Sequence, residues 1–167
     1  MLSLIEAIQK EFRDEVPATR RVLERVPTEK LGWKPHPKSR SLGELAFHVA
    51  NLPGMADRII NFDEFSPGGA PPQNAGSADE IRAAFEKSVG AAEQAFAKLD
   101  EQRAMGDWRL VYQGREIVRK SRVAALRTNM LNHMYHHRGQ LSVYLRLLDV
   151  PLPMVYGPTA DENPFVK

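Results

Sequence analysis

The sequence predicts an all-α fold, a four-helix bundle with long connections. Four long segments repeat apolar residues at helical spacing, polar Pro-containing stretches separate them, and a serine stands near the start of each. At 167 residues the chain can bury a core without staples, and one domain over residues 1–167 is expected.

The first helix is predicted from about Ser3 to Arg25, with Ser3 and Glu6 as a capping box and Leu4, Ile5, Ile8, Phe12, Val16, Thr19 and Leu23 along one stripe. Pro17 lacks the N–H that would bond back one turn and should kink it. Residues 26–40, VPTEKLGWKPHPKSR, read as an ordered loop with Trp33 tucked against the bundle. The second helix should start at Ser41, capped with Glu44, and reach about Phe62, with Leu45, His48, Val49, Leu52, Met55, Ala56 and Ile59 inward. Pro53 predicts a bend beside His48. Residues 65–76, FSPGGAPPQNAG, have the composition of a flexible surface loop.

Ser77 and Glu80 cap the third helix, which carries Ile81, Phe85, Val89, Ala92, Phe96 and Leu99 inward. The alternation Trp108, Leu110, Tyr112, a Gln113-Gly114 turn and then Ile117 predicts a short β-hairpin before the last helix. That last helix should run from near Ser121 to about Leu148, with Leu126, Met130, His133, His137, Leu141, Tyr144 and Leu148 in its apolar stripe. The Pro-rich tail from Asp149 reads as extended, with Val155 and Tyr156 folded back onto the bundle.

Charge excludes several function classes. The formal net charge is +2, too small for a nucleic-acid-scale field. A local basic run, Arg103, Arg109, Arg115, Arg119, Lys120, Arg122 and Arg127, reads as solvated surface rather than an anion-binding patch. With no cysteine, disulfides and a thiol nucleophile are excluded, and thiol chemistry would need a thiol from a cosubstrate. The opening MLSLIEAIQKEFRDE carries charges every few residues, which argues against a signal peptide or membrane span, so a cytoplasmic protein is expected.

The chemistry is concentrated in HMYHHRGQ, residues 133–140. His133 and His137 are four residues apart, so both imidazoles share one helix face, and His48 is expected to reach them from the second helix. Two readings stay open on residues alone. Three converging imidazoles can be ligands of one cation, or core histidines each satisfied by a hydrogen bond. The zincin motif is absent, because Met134 stands where HExxH needs its glutamate. Three nitrogen ligands would leave a fourth position for water or substrate. His136 is rotated about 100° from His137 and is not expected to be a ligand. Catalytic assignments remain unknown. Glu44, one turn before His48, is the nearest carboxylate on that face, and Asp161 and Glu162 in the tail are further candidates for a base or a supporting group that nothing in the sequence positions. Arg138 and Gln140 flank the site, and Tyr144 lies two turns beyond His137.

SLGELAFHVA around His48, LNHMYHHRGQLSVYLRLLDVPLP around His133 and His137, the ending YGPTADE and the upstream LGWKPHPKSRSLGELAFH together resemble the DinB family of DinB/YfiT-like metalloenzymes. The resemblance covers essentially the whole chain. It implies a four-helix bundle of DinB/YfiT-like type, often a homodimer, with a divalent metal, zinc or nickel, on three histidines. The triad falls on His48, His133 and His137. Characterised relatives include bacillithiol S-transferases and mycothiol-dependent isomerases, so the resemblance implies a thiol-dependent S-transferase-like activity using a low-molecular-weight thiol, with hydrolysis as a further reaction type. The alternative is a non-catalytic metal-stabilised dimeric bundle that binds a small molecule or a protein partner. Neither nucleic acid nor membrane is an expected partner.

Overall fold

The computed structural model describes residues 2–68 and 73–166 and is mostly helical, with a small three-stranded sheet. Helix α1 spans Leu4–Leu23 and begins with the predicted capping box: Ser3 Oγ accepts from the Glu6 N–H, and the Glu6 carboxylate accepts from the Ser3 N–H at 2.7 Å. The helix continues through Pro17, which lies on its exposed face. Ile8, Phe12, Val16, Thr19 and Leu23 are buried as expected, whereas Leu4, in the first turn, is exposed.

The expected second helix is two helices, α2 (Leu42–Asn51) and α3 (Met55–Asn61), joined by a 3-10 turn at Leu52–Gly54. Pro53 has no N–H to give the Val49 carbonyl, and the Leu52 N–H takes that carbonyl instead. The tighter bond ends α2 one turn past His48, so the bend predicted from Pro53 is a full change of helix type. Ser41 and Glu44 form the predicted box at the head of α2. Trp33 packs edge-on against Tyr144, with ring centroids 5.6 Å apart, which ties the Pro-rich loop to the last helix.

Where the sequence reads as loop from Phe65, a short strand β1 (Glu64–Phe65) pairs in parallel with β2 (Asp107–Tyr112). Part of that loop, residues 69–72, lies outside the described residues. Helix α4 (Ala78–Phe96) has half of the expected box: Ser77 Oγ accepts from the Glu80 N–H, but the Glu80 carboxylate turns to the Gly76 N–H. A short helix α5 (Glu101–Met105), capped by Asp100, precedes the hairpin and is not among the elements expected from the sequence.

The hairpin forms as predicted, β2 running antiparallel to β3 (Arg115–Ser121). Its turn places Gln113 and Gly114 both at positive φ, the geometry a two-residue hairpin needs. Trp108 on β2 is fully buried. Most of the basic run sits on the surface beside carboxylates, as Arg119 does with Glu116 and Asp107. Arg122 departs from that reading: it is buried, paired with Asp63, and donates to the Asp107 carbonyl at 2.7 Å.

The last helical run contains α6 (Arg122–Ala125), a π-helical stretch at Leu126–Asn132, and α7 (His133–Leu147). A π turn takes one more residue than an α turn and so rotates the helix beyond it. Past Met130 the buried residues are therefore Leu131, Met134, Arg138, Leu141 and Leu145, while His133, His137, Tyr144 and Leu148 flank them half-buried. Leu141 is buried as predicted, but at the other positions there the buried face is displaced by one residue from the predicted stripe, and both histidines lie at the edge of the core.

Candidate metal centre

Helices α2 and α7 pack against each other, and their contact brings the three histidines together. Nε2 of His133 lies 3.3 Å from Nε2 of His48 and 2.9 Å from Nε2 of His137, and one donor nitrogen from each of the three lies within 4.8 Å of the others. Four-coordinate ions with ligand nitrogens at 2.0–2.1 Å require nitrogen separations of roughly 3.3 Å, so the triad has about the right span. Among the described residues no carboxylate joins this group.

The hydrogen bonds on the far sides of the rings decide which nitrogens carry protons. His137 Nδ1 lies 2.7 Å from Gln140 Oε1, an oxygen that can only accept, so Nδ1 carries the proton and Nε2 is bare in the neutral ring. At His133 the Asn129 backbone favours the protonated ring and so opposes the lowering by burial. The bare Nε2 of His137 then faces Nε2 of His133 at 2.9 Å, close enough for the two nitrogens to share a proton or a cation. A cation among them satisfies both at once, and the donor set therefore fits a divalent metal.

Burial is the largest influence on all three rings and holds them neutral. It pulls His48 down to about 3 and His137 down to about 4, and lowers His133 as well. The Arg40 guanidinium adds to the lowering at each ring, and the Gln140 contact opposes it at His137. Neutral imidazole is the form that ligates metals.

Two openings meet at His48 and Asn51. A polar one of about 200 Å³ is lined by Arg40, Glu44, Phe47 and Gln73 together with these two residues. The other, of about 400 Å³, is more apolar and reaches from His48 and His133 past Met55 and Leu110 to Arg58 and Phe65.

The candidate catalytic residues are divided between these surroundings and other tasks. Glu44 lines the polar opening one turn before His48, with Oε2 accepting from the Ser41 N–H at 2.7 Å. Tyr144 braces the loop, its hydroxyl 3.4 Å from the Arg40 carbonyl. Arg138 turns away from the histidines toward α1, with Nη1 2.7 Å from Glu15 and 2.9 Å from Thr19 Oγ1, and it donates to the Tyr156 hydroxyl. Asp161 pairs with Arg146 and accepts from the Leu152 N–H, while Glu162 pairs with Arg21 and Arg25, so both carboxylates pin the tail. His136 is exposed and outside the triad. Arg40 and Asn51 border the site without having been expected there from the sequence. Arg40 lies within the LGWKPHPKSRSLGELAFH stretch but is not singled out in it, and Asn51, three residues beyond His48, had a signal only in that spacing.

Comparisons with known proteins agree with this architecture. The chain is 24% identical over 162 residues to the uncharacterized protein YrdA of Bacillus subtilis, covering 97% of this chain and 93% of that one. Its fold resembles a crystal structure of a DinB-like protein from Bacillus cereus, with a TM-score of 0.70 at 22% identity over 90% of this chain and 97% of that one. A second DinB-like structure, YjoA from Bacillus subtilis, gives a TM-score of 0.68 at 19% identity over 89% of this chain and 97% of that one. Residues 1–163 match the sequence profile of the DinB family, and the chain belongs to that family.

Proposed function

We propose that residues 1–167 form one DinB-type four-helix-bundle domain, a cytoplasmic homodimer, that acts as a divalent-metal-dependent enzyme of the thiol-dependent S-transferase kind. His48, His133 and His137 are the ligands of a zinc or nickel ion. The observation that carries the reading is a triad of neutral imidazoles with no carboxylate among the described residues to complete it, open to a cleft on either side of His48. A structural ion is ordinarily closed by four protein ligands, so three ligands beside open clefts favour an enzyme over a metal-stabilised bundle that catalyses nothing.

A divalent ion supplies Lewis acidity, which brings a thiol or water within reach of deprotonation near neutral pH. The remaining roles belong to the chain. Gln140 holds the His137 ring with Nε2 facing His133. Glu44 borders the polar opening, where a carboxylate can receive a proton from a cosubstrate thiol. Arg40 borders the same opening and attracts an anionic cosubstrate.

Elemental analysis of protein purified without a histidine tag from metal-replete medium, followed by turnover assays with thiol and electrophile pairs, tests the proposal. One equivalent of divalent ion is expected, with ion and turnover both lost in His48→Ala. Absence of a stoichiometric ion overturns the proposal, and a stoichiometric ion without turnover favours the non-catalytic bundle.

A further inference from the structure

The larger cleft differs from the polar opening in both size and lining. At about 400 Å³ it falls within the range of small-molecule sites, roughly 300–1,000 Å³, which the 200 Å³ opening does not reach. Its walls are Leu52, Met55, Phe65, Pro67 and Leu110, with His48 and His133 at one end. The charged side chain in this lining is Arg58, from the helix that begins just past the break at Pro53.

Arg58 differs from the arginines around it. Arg103 and Arg122 pair with Asp63, and Arg109 pairs with Glu64. Among the described residues Arg58 makes no ion pair or hydrogen bond; its guanidinium lies over the Phe65 ring, 4.7 Å from the centroid. A cation–π contact supplies no oxygen acceptor, so the guanidinium N–H donors have no hydrogen-bond partner among the described residues. The cation is thus held against the cleft wall with its fork available to a planar acid.

We propose that this cleft binds an organic carboxylate with an apolar body, its acid group held by Arg58 and its reacting end turned to His48 and His133. The inference rests on the metalloenzyme reading and names the substrate class of that site. A monoanion is favoured over a phosphate because one guanidinium faces it, with the neutral amides of Asn51 and Asn129 as the other polar lining beyond the histidines among the described residues.

Cobalt(II)-loaded protein tests it. The chain has no cysteine, so a near-ultraviolet thiolate-to-cobalt band can come only from an added thiol. The probes are ω-mercaptoalkanoates of increasing chain length and the matching ω-mercaptoalkanols. At one favoured length the acid should bind about tenfold or more tighter than the alcohol, in keeping with a charge-assisted hydrogen bond. Arg58→Gln should erase that preference and leave the alcohol's affinity unchanged. Leu110→Trp, which fills the cleft, should lose the long thiols while keeping the band given by mercaptoethanol. Equal affinity for acid and alcohol at every length, or a preference that survives Arg58→Gln, overturns the role of Arg58. Long thiols binding undiminished in Leu110→Trp overturns the location. Failure to take up cobalt, or to give a band with any thiol, overturns the metalloenzyme reading itself.

Discussion

His137 and Arg138 are adjacent in sequence and point about 100° apart around α7, and their surroundings are finished to different degrees. On the Arg138 side the protein supplies every partner: Arg138 bonds Glu15, Thr19 and Tyr156, Tyr156 donates to Glu15 at 2.9 Å, and Tyr135 donates to Glu11 at 2.9 Å. On the histidine side three imidazoles converge without a carboxylate among the described residues, two of their Nε2 atoms only 2.9 Å apart. Burial of polar groups is tolerated when partners are complete, so the first region reads as a stability element, whereas the second fits a ligand from outside the chain, such as a metal ion.

Substitutions should separate the two. Arg138→Met leaves Glu15 without its buried partner, and breaking such a pair costs about 3–5 kcal/mol. Urea denaturation should show that loss, while the folded fraction keeps its metal. Gln140→Leu removes the group that holds the His137 ring and should weaken metal affinity about 10–100-fold in a chelator competition, with little change in metal-free stability.

The pH dependence of the metal-free protein stems from the lowered histidines. In the unfolded chain they protonate near 6.5, whereas in the fold His48 is held down to about 3 and His137 to about 4, so between these values the unfolded state binds more protons. Stability should be steady above about pH 6.5 and decline as pH falls toward 4. Thermal melts of His48→Ala should show a shallower decline over that window. The smallest effect belongs to Ser41→Ala, which removes the cap of α2 for about 1 kcal/mol and should leave metal content unchanged.

The local rules were the most legible part of the sequence. Ser3 with Glu6 and Ser41 with Glu44 form the boxes their spacing predicts, and Gln113-Gly114 makes the hairpin turn. These depend on residues a few positions apart. The two-residue strand at Glu64 exists through its pairing with β2, which no local pattern reports. The π stretch at Leu126–Asn132 has no residue signature and displaces the buried face by one position, so a pattern that fits His133 and His137 as core residues fits Met134 and Arg138 equally well. The triad was legible because an i, i+4 pair survives that shift. Arg138, next to His137 in sequence, faces α1 instead of the triad, because nearness in sequence says little about direction, and Asp161, which no sequence pattern positioned, is tied to Arg146.

X-ray absorption at the edge of the bound metal tests the central claim most directly. Three imidazole nitrogens at about 2.0–2.1 Å and a light atom in the open position are predicted, the light atom being replaced by one sulfur at about 2.3 Å when a small thiol is added to this cysteine-free chain. A shell closed by four protein donors that ignores the thiol would contradict it.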